Sequence, residues 1–424
     1  MLRPRSALVA APLVLASLVL GASPAAMART EAPRAGHSRG VALAAPPSTP
    51  VQPRLALAAA PTIINDNATF YGDSCASTSS CVAVGFYQIP SEDIAPALVE
   101  NYTSGSWQAD VPIPQYSAYA TLAEEVSCGA AGACMLVGEH YNKPAKASML
   151  AEISSGPSWS MLQWNNPAGA RWGVLDAVSC VGSSYCMAVG TEDRRTQQVY
   201  SAQWRGSGVL KQISTPNPAH ARWAELAGVS CLSATDCVAV GNYESAAKRV
   251  LTFSLMWNGT KWQILTGTPN LKHQTGSYFN DIACASATQC MAVGYSLGSG
   301  KHPAVHGFAA TWLTGKWRLS ATPNRLGAGL VSVSCPTVSY CMAVGIDGRY
   351  ADAERWNGAS WRFLSVPRTR APRSDDGLEH VSCVSTSHCV AVGYRYIPKH
   401  NYTDNTLAEV WNGSSWKVQG TANP

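Results

Sequence analysis

The amino-acid sequence predicts an all-β protein, a seven-bladed β-propeller with four antiparallel strands per blade and one disulfide across the first hairpin of each blade. Two observations predict this fold. A repeat of about fifty residues occurs seven times in the 424-residue chain, and every copy contains one Cys-x5-Cys pair. Each copy also carries signals for two short hairpins. Repeats of this length that contain several short strands are typical of propellers.

The cysteines define the repeat, because all 14 fall into these pairs. Two cysteines that flank a short turn face each other across a hairpin, at a separation that suits a disulfide. The alternative is a metal site, which the pairs do not favour because they lack the usual ligand spacing and further ligands. We therefore predict seven disulfides, Cys75–Cys81, Cys128–Cys134, Cys180–Cys186, Cys231–Cys237, Cys284–Cys290, Cys335–Cys341 and Cys383–Cys389.

The fourth copy shows how a repeat divides into strands. The first strand runs into Cys231, and the second begins with Cys237 in a Cys-Val-Ala-Val-Gly segment. The third and fourth are joined by the segment 257–262, Trp-Asn-Gly-Thr-Lys-Trp. Asn-Gly between apolar strands is a strong hairpin signal, because both residues tolerate positive φ. In early copies this second segment is degenerate, and its spacing matches Ile153 with Trp159 and Trp204 with Val209.

The second strand indicates burial on both of its faces. Cys237 and Ala239 point to one side of the sheet, while Val238 and Val240 point to the other. Neither face is polar, as expected for a blade packed between two neighbours, whereas a β-sandwich would leave one face polar.

The ends of the chain predict export. Residues 1–28 resemble a secretory signal peptide, since a short basic start and an apolar run precede a small-x-small cleavage site. Residues 29–62 form an Ala/Pro-rich flexible linker, and residues 63–424 form the propeller. The expected blades are about 63–115, 116–168, 169–219, 220–271, 272–325, 326–371 and 372–424.

The charge restricts the partners. The net charge is +5, and loss of Arg3 and Arg5 with the signal lowers it by two. So weak a charge on so long a chain does not indicate nucleic acid or, after signal cleavage, a membrane. We expect a secreted, extracellular monomer whose partner is a glycan or a protein.

The repeat resembles the kelch motif of galactose-oxidase-like propellers. The strand ending in Val240-Gly241 is similar to the glycine-ended kelch strand, and Trp257-Asn258-Gly259 with Trp262 is similar to its aromatic–turn–Trp segment. Kelch units usually carry a double glycine, whereas Asn242 follows Gly241 here, and paired cysteines are not typical of them. The disulfide-bearing kind of repeat resembles uncharacterised secreted proteins of actinobacteria, and this resemblance implies no activity. The copper site of galactose oxidase needs an unpaired Cys, so we expect no cofactor and no metal.

The variable segments predict where a ligand binds. Loops between the second and third strands, together with the linkers between blades, differ in every copy and open on one face of a propeller. Variable loops on a rigid scaffold commonly carry binding sites. The leading hypothesis is therefore a secreted, non-catalytic binding module whose variable-loop face contacts a glycan or protein.

Three features of this face are candidate binding residues. Arg171-Trp172 and Arg222-Trp223 stand at matching linker positions, where they form either a seam-sealing stack or a platform for a sugar ring. His302 and His306 are interpreted as solvated loop histidines, with a metal pair as the alternative.

No linear motif indicates a catalytic residue. Propeller enzymes draw single residues from different blades, so a glycan-active enzyme of the glycosidase, sialidase-like or lyase type is the second hypothesis. It would use Arg171, Arg222 and Arg325 with Glu139 or Asp281 at the centre. A purely structural surface component is a third possibility.

Overall fold

The structure, a computed structural model, describes residues 67–422 apart from several short segments. The signal peptide and linker predicted for residues 1–62 lie outside the described residues. The segments left out are 90–93, 104, 109–118, 142–146, 157, 163–165, 273, 300–303, 324–326, 369–374 and 398–402.

The described chain contains 28 strands, and consecutive strands associate in sets of four that we call units 1 to 7. Units 1 to 3 contain β1 (Thr69–Ser77), β2 (Ser80–Phe86), β3 (Ala97–Thr103), β4 (Ser106–Gln108), β5 (Ala120–Ala130), β6 (Ala133–Tyr141), β7 (Ala147–Ser155), β8 (Ser158–Met161), β9 (Trp172–Val181), β10 (Tyr185–Asp193), β11 (Gln197–Trp204) and β12 (Lys211–Ile213). Units 4 and 5 contain β13 (Trp223–Ser233), β14 (Asp236–Glu244), β15 (Val250–Trp257), β16 (Trp262–Ile264), β17 (Gly276–Ser286), β18 (Gln289–Leu297), β19 (Val305–Leu313) and β20 (Lys316–Ser320). Units 6 and 7 contain β21 (Ala328–Thr337), β22 (Tyr340–Asp347), β23 (Tyr350–Trp356), β24 (Trp361–Phe363), β25 (Asp375–Ser385), β26 (His388–Ile397), β27 (Thr403–Trp411) and β28 (Trp416–Gln419).

The hydrogen bonding groups these strands into six sheets. Five sheets have four antiparallel strands in sequence order, and one has eight. The eight-stranded sheet consists of units 4 and 5, which are joined by a single parallel pair between Val250 and Gly276. The described residues contain no helix, so the all-β prediction is confirmed. Accordingly, no helix in the described ranges has the length and apolar character needed to cross a membrane.

Every unit contains one disulfide across the hairpin between its first and second strands. The two cysteines stand opposite each other with Cα atoms 4.0 Å apart in Cys231–Cys237, and the other six are similar. The predicted disulfide bonds are therefore present. Each one closes a small loop, so its stabilising effect is confined to its own hairpin.

At six of the seven junctions, a hydrogen bond beside the disulfides connects neighbouring units. In six units, a serine precedes the first cysteine. Its hydroxyl accepts a hydrogen bond from the backbone amide of the corresponding cysteine in the next unit. Ser230, for example, accepts the amide of Cys284 at 3.0 Å, and Ser382 of unit 7 accepts that of Cys75 in unit 1. Unit 5 has Ala283 at this position. The other four bonds join Ser74 to Cys128, Ser127 to Cys180, Ser179 to Cys231 and Ser334 to Cys383.

Seven apolar clusters fill the spaces between adjacent units. Val238 and Val240 pack against unit 5, while Ala239 on the opposite face packs against unit 3, as the sequence predicts. The cluster with Phe70 and Val392 joins unit 1 to unit 7. The first strands of consecutive units lie side by side, and β25 lies beside β1, so these strands form a closed circuit.

The glycine that ends the second-strand motif is required by a bulge in the first strand. In unit 4 the pairing of β13 with β14 skips Ala227, so that Leu226 faces Gly241 and Gly228 faces Val240. This β-bulge pushes the backbone of β13 towards β14. A Cβ atom at Gly241 would collide with the carbonyl oxygen of Glu225, and the equivalent glycine of every other unit meets the same obstacle.

The structure corrects three details of the hairpin between the third and fourth strands. Only Gly259 of the Asn-Gly pair has positive φ, and the side chain of Asn258 accepts hydrogen bonds from the amides of Thr260 and Lys261. In unit 2, Ser154 rather than Ile153 pairs with Trp159. In unit 3 the position opposite Trp204 is taken by buried Leu210 rather than by exposed Val209, because this hairpin is one residue longer.

Glu409 is a buried acid on β27 with no hydrogen-bond partner among the described residues for either carboxyl oxygen. Glu100, at the equivalent position of unit 1, accepts the amide of Ala422 at 3.1 Å. The residue equivalent to Ala422 in the tail after β24 is Pro367, which has no amide hydrogen. Burial raises the pKa of the Glu409 carboxyl to about 8, with Arg395 acting in the opposite direction. Glu409 is therefore mostly protonated at pH 7.

The inter-unit serine bond gives the first prediction. Ala283→Ser supplies the missing acceptor for Cys335 and should raise the free energy of unfolding by about 0.5–1.5 kcal/mol. The matched change Ser230→Ala removes the hydrogen-bond acceptor of the partly buried Cys284 amide and should lower the free energy of unfolding by about 1–3 kcal/mol. Denaturant unfolding measures both, and an unchanged midpoint in Ala283→Ser would contradict this role.

The second prediction concerns Glu409. A carboxyl whose folded pKa lies above its unfolded value stabilises the fold at low pH and loses this contribution as the pH rises through about 8. Glu409→Gln should therefore become progressively more stable than the wild type between pH 5 and pH 9, roughly the interval set by the two pKa values. Unfolding free energies at pH 5, 7 and 9 measure this, and a constant difference would argue against protonated Glu409.

Candidate functional site

The two predicted tryptophans occupy the same register in adjacent units. Trp172 begins β9 and pairs with Asp193 at the end of β10, while Trp223 begins β13 and pairs with Glu244 at the end of β14. Both indoles are half-buried. First strands begin and second strands end on the variable-loop face, so the fold places the two side chains at neighbouring positions around the circuit.

The arginines before these tryptophans pair with the same acids. Arg171 Nη2 lies 3.1 Å from Asp193 Oδ1, and Arg222 Nε lies 3.5 Å from Glu244 Oε2. The backbone amide of each arginine also donates to the carbonyl of its acid. Both side chains remain about half exposed, at 63% and 48%. Each guanidinium is thus oriented by its own unit, and a planar group with five donors retains capacity for a ligand.

The histidines predicted beside this face are only partly described. His306 is half-buried in β19, where it pairs with Ser296, and therefore lies in a strand rather than in a loop. His302 lies outside the described residues, as does Arg325. Within the described ranges, no group of three or more His, Cys, Asp or Glu side chains is placed to hold a metal ion.

A polar and aromatic group adjoins Trp223 at the junction of units 3, 4 and 5. Glu225 accepts hydrogen bonds from the side-chain amides of Gln197 and Asn242, each at 3.3 Å. Tyr278 and Tyr295 stack with ring centroids 4.7 Å apart. Burial raises the pKa of Tyr278, and the negative charge of Glu225 raises it further. Glu225 therefore lies near this ring pair, a grouping that the sequence analysis did not identify.

Charged side chains from distant units converge where the first strands face one another. His380 Nδ1 lies 2.9 Å from Asp73 Oδ1, and His380 Nε2 lies 3.7 Å from Glu125 Oε1. Burial opposes a charge on His380, but the hydrogen bonds and charges of Asp73 and Glu125 outweigh it and raise its pKa to about 10. The imidazole is therefore protonated at pH 7 and bridges units 7, 1 and 2.

Asp281 extends this group into unit 5. Its Oδ2 accepts hydrogen bonds from the Ser332 hydroxyl and the Val333 amide, both at 2.9 Å. Burial raises the pKa of Asp281 to about 6, against the opposing charge of His380. Ser332 also accepts the amide of Val381 at 3.3 Å. We call Asp73, Glu125, Asp281, Ser332 and His380 the axial cluster.

The axial cluster contains the components of acid–base chemistry. A carboxyl that titrates near neutrality lies within electrostatic range of an imidazolium and a second carboxylate. Such shifts occur at catalytic sites, and structural ion-pair networks produce them as well. The side chains of His380 and Glu125 are 16% and 15% exposed, whereas that of Asp73 is fully buried.

Of this cluster, the sequence predicts only Asp281 as a candidate residue. The signal was nevertheless present in the repeat. We align the units on the residue before the first cysteine, which is serine in six of them. The position two residues before it carries Glu125, Asp281, Ser332 and His380 in four units. In the remaining units that position carries Gly72, Ala177 and Gly228.

Comparisons with known proteins give likenesses of fold. No protein-family model and no curated protein matches the chain. Among solved structures, the β-propeller domain of the Trilobed protease from Pyrococcus furiosus is 8% identical, with a TM-score of 0.48 over 84% of this chain and 99% of that one. The α-L-arabinofuranosidase Arb93A of Fusarium graminearum is 9% identical, with a TM-score of 0.43 over 66% and 90%. The SapL1 lectin in complex with α-methyl fucoside is 12% identical, with a TM-score of 0.41 over 68% and 92%.

Proposed function

We propose that the chain is a secreted, seven-bladed β-propeller that acts as a non-catalytic binding module, with each unit forming one blade. Four consecutive antiparallel strands per unit and the closed circuit of first strands support the blade assignment. Seven disulfides support export, because such bonds persist in oxidising compartments.

The observation that carries the binding role is the matched pair of Arg–Trp sites in adjacent units. An indole presents a flat apolar face to the C–H groups of a sugar, and the adjacent guanidinium and carboxylate offer a donor and an acceptor to its hydroxyls. Two such sites in equal register suit a polymer with repeating units. We therefore assign a glycan to the variable-loop face around Trp172, Trp223 and Glu225, with a protein ligand as the alternative.

The third prediction tests this site. The Trp172→Ala/Trp223→Ala double variant removes both flat surfaces and should lose glycan-array binding by about 100-fold, since aromatic anchors commonly contribute 2 kcal/mol or more. Thermal unfolding of the variant serves as the control for folding. The control Trp262→Ala removes a buried tryptophan of unit 4, which also contains Trp223, at a position away from this face. It should reduce stability without changing which glycans bind. Binding that survives in the double variant would mean that both indoles have only a structural role. If the wild type binds no glycan on the array, a protein ligand is favoured.

A second function is favoured by the axial cluster alone. A glycan-active enzyme needs a group that donates a proton and a second acidic group beside it, and burial raises the pKa of Asp281 to about 6, within electrostatic range of Glu125. In this reading Asp281 is the acid, and Glu125 with His380 stabilises the developing charge.

The fourth prediction separates these two functions. If the chain is an enzyme, Asp281→Asn should lower the turnover of aryl glycosides by 100-fold or more, because general acid catalysis contributes about that much. The Trp172→Ala/Trp223→Ala variant should then retain turnover of such small substrates. A wild-type chain that binds glycans but cleaves none of them would leave the binding module as the function.

A further inference from the structure

The junction between units 7 and 1 differs from the other six. Linkers of the chain join units 1 to 7 in order, but units 7 and 1 are not consecutive and no linker joins them. Within the described residues, β1 pairs only with β2, and β28 pairs only with β27. No strand from one end of the described chain therefore completes the sheet at the other end. We call this junction the closing seam.

Apolar packing and hydrogen bonds that involve at least one side chain hold the closing seam. The apolar cluster around Phe70 and Val392 crosses it. The bond from Cys75 to Ser382 crosses it as well, but the same bond exists at five other junctions. Contacts at this position also cross two other junctions, where Asp281 and Ser332 accept hydrogen bonds from uncharged groups of the next unit. At the closing seam, in contrast, His380 meets the carboxyl group of Asp73.

We propose that Asp73, His380 and Glu125 form an ionic clasp that keeps the circuit closed, and that loss of the charge on His380 opens the closing seam while the individual units remain folded. The clasp reaches beyond the seam itself, because His380 of β25 contacts both β1 and β5. It is a conformational device of the scaffold and does not depend on the proposed binding site.

Burial explains why the loss of one charge has this effect. Without the imidazolium, the carboxyl groups of Asp73 and Glu125 lose the partner that they share, in a shielded space where burial already raises the pKa of Asp73 and Asp281 is a further acidic group. A buried ion pair that loses one partner is strongly destabilised, because the remaining charge is neither paired nor hydrated. At a junction with a covalent linker the units stay tethered after such a loss, whereas the closing seam keeps only noncovalent contacts. These are its apolar cluster, the bond from Cys75 to Ser382 and the bond from the Ala422 amide to Glu100.

The pH dependence follows from the same geometry. Asp73, Glu125 and Asp281 are the charged groups that face His380. Its folded pKa of about 10 exceeds the ordinary value, so the clasp is complete at neutral pH and weakens as the pH rises through about 10.

Hydrogen–deuterium exchange of the full chain at pH 7 tests the clasp. His380→Gln keeps the size of the side chain but cannot carry a charge. It should increase exchange in β1 and β25 by about 100-fold while β9 and β13 change little. The control is Asn242→Ala, which removes a buried link between units 4 and 5, where Asn242 accepts the amide of Phe279 at 2.7 Å. This control should loosen its own junction and leave the closing seam protected.

Two outcomes would overturn the proposal. One is unchanged protection of β1 and β25 in His380→Gln, and the other is an equal increase in all units, which indicates general destabilisation. If this variant does not fold, the wild type is followed from pH 7 to pH 11, with exchange corrected for the intrinsic rate. Protection must then disappear first in β1 and β25, and simultaneous loss in all units refutes the clasp.

Discussion

Six of the seven junctions between units share one directional contact, a hydrogen bond from the backbone amide of the first cysteine to a serine hydroxyl of the preceding unit. A disulfide shapes only its own hairpin, and the apolar surfaces between units are non-directional. The serine bond supplies the direction, because it fixes the height at which one first strand lies against the next. Ser382 carries this relation from unit 7 back to Cys75, so the last junction is aligned by the same contact as the first.

Most of the scaffold could be predicted because each unit repeats its own local chemistry. The cysteine pairs, the glycine of the second strand and the tryptophan hairpins are short-range features that need no knowledge of the neighbours. The errors occur where a hairpin changes length. In unit 3 one additional residue moves Leu210 into the position predicted for Val209, and a pattern of spacing cannot detect such a shift when no tryptophan marks the strand.

The sequence predicts the Arg–Trp sites better than the axial cluster, because the Arg–Trp sites are local in the chain and the cluster is not. Trp172 and Trp223 stand at equal positions in the repeat, so their common register could be predicted, although their arginines pair with acids at the far end of the next strand. The axial cluster takes one side chain from each of several units that are far apart in sequence. Its contacts become visible only when the first strands are brought together, even though Glu125, Asp281, Ser332 and His380 share one position in the aligned repeat.

The distribution of these residues divides the ring into two parts. Units 3 and 4 carry Ala177 and Gly228 in the axial position and display Trp172 and Trp223 on the variable-loop face. At the closing seam, unit 7 carries His380 in the axial position, and unit 1 supplies Asp73 from the position after Gly72. The chain itself links units 3 and 4, so they need no polar contact there to stay together. The seam has no such link, and a buried ion pair there restricts the angle between units 7 and 1 in a way that apolar packing alone does not. Related chains should therefore carry a buried ion pair where their first and last units meet, because that is the junction that no linker closes.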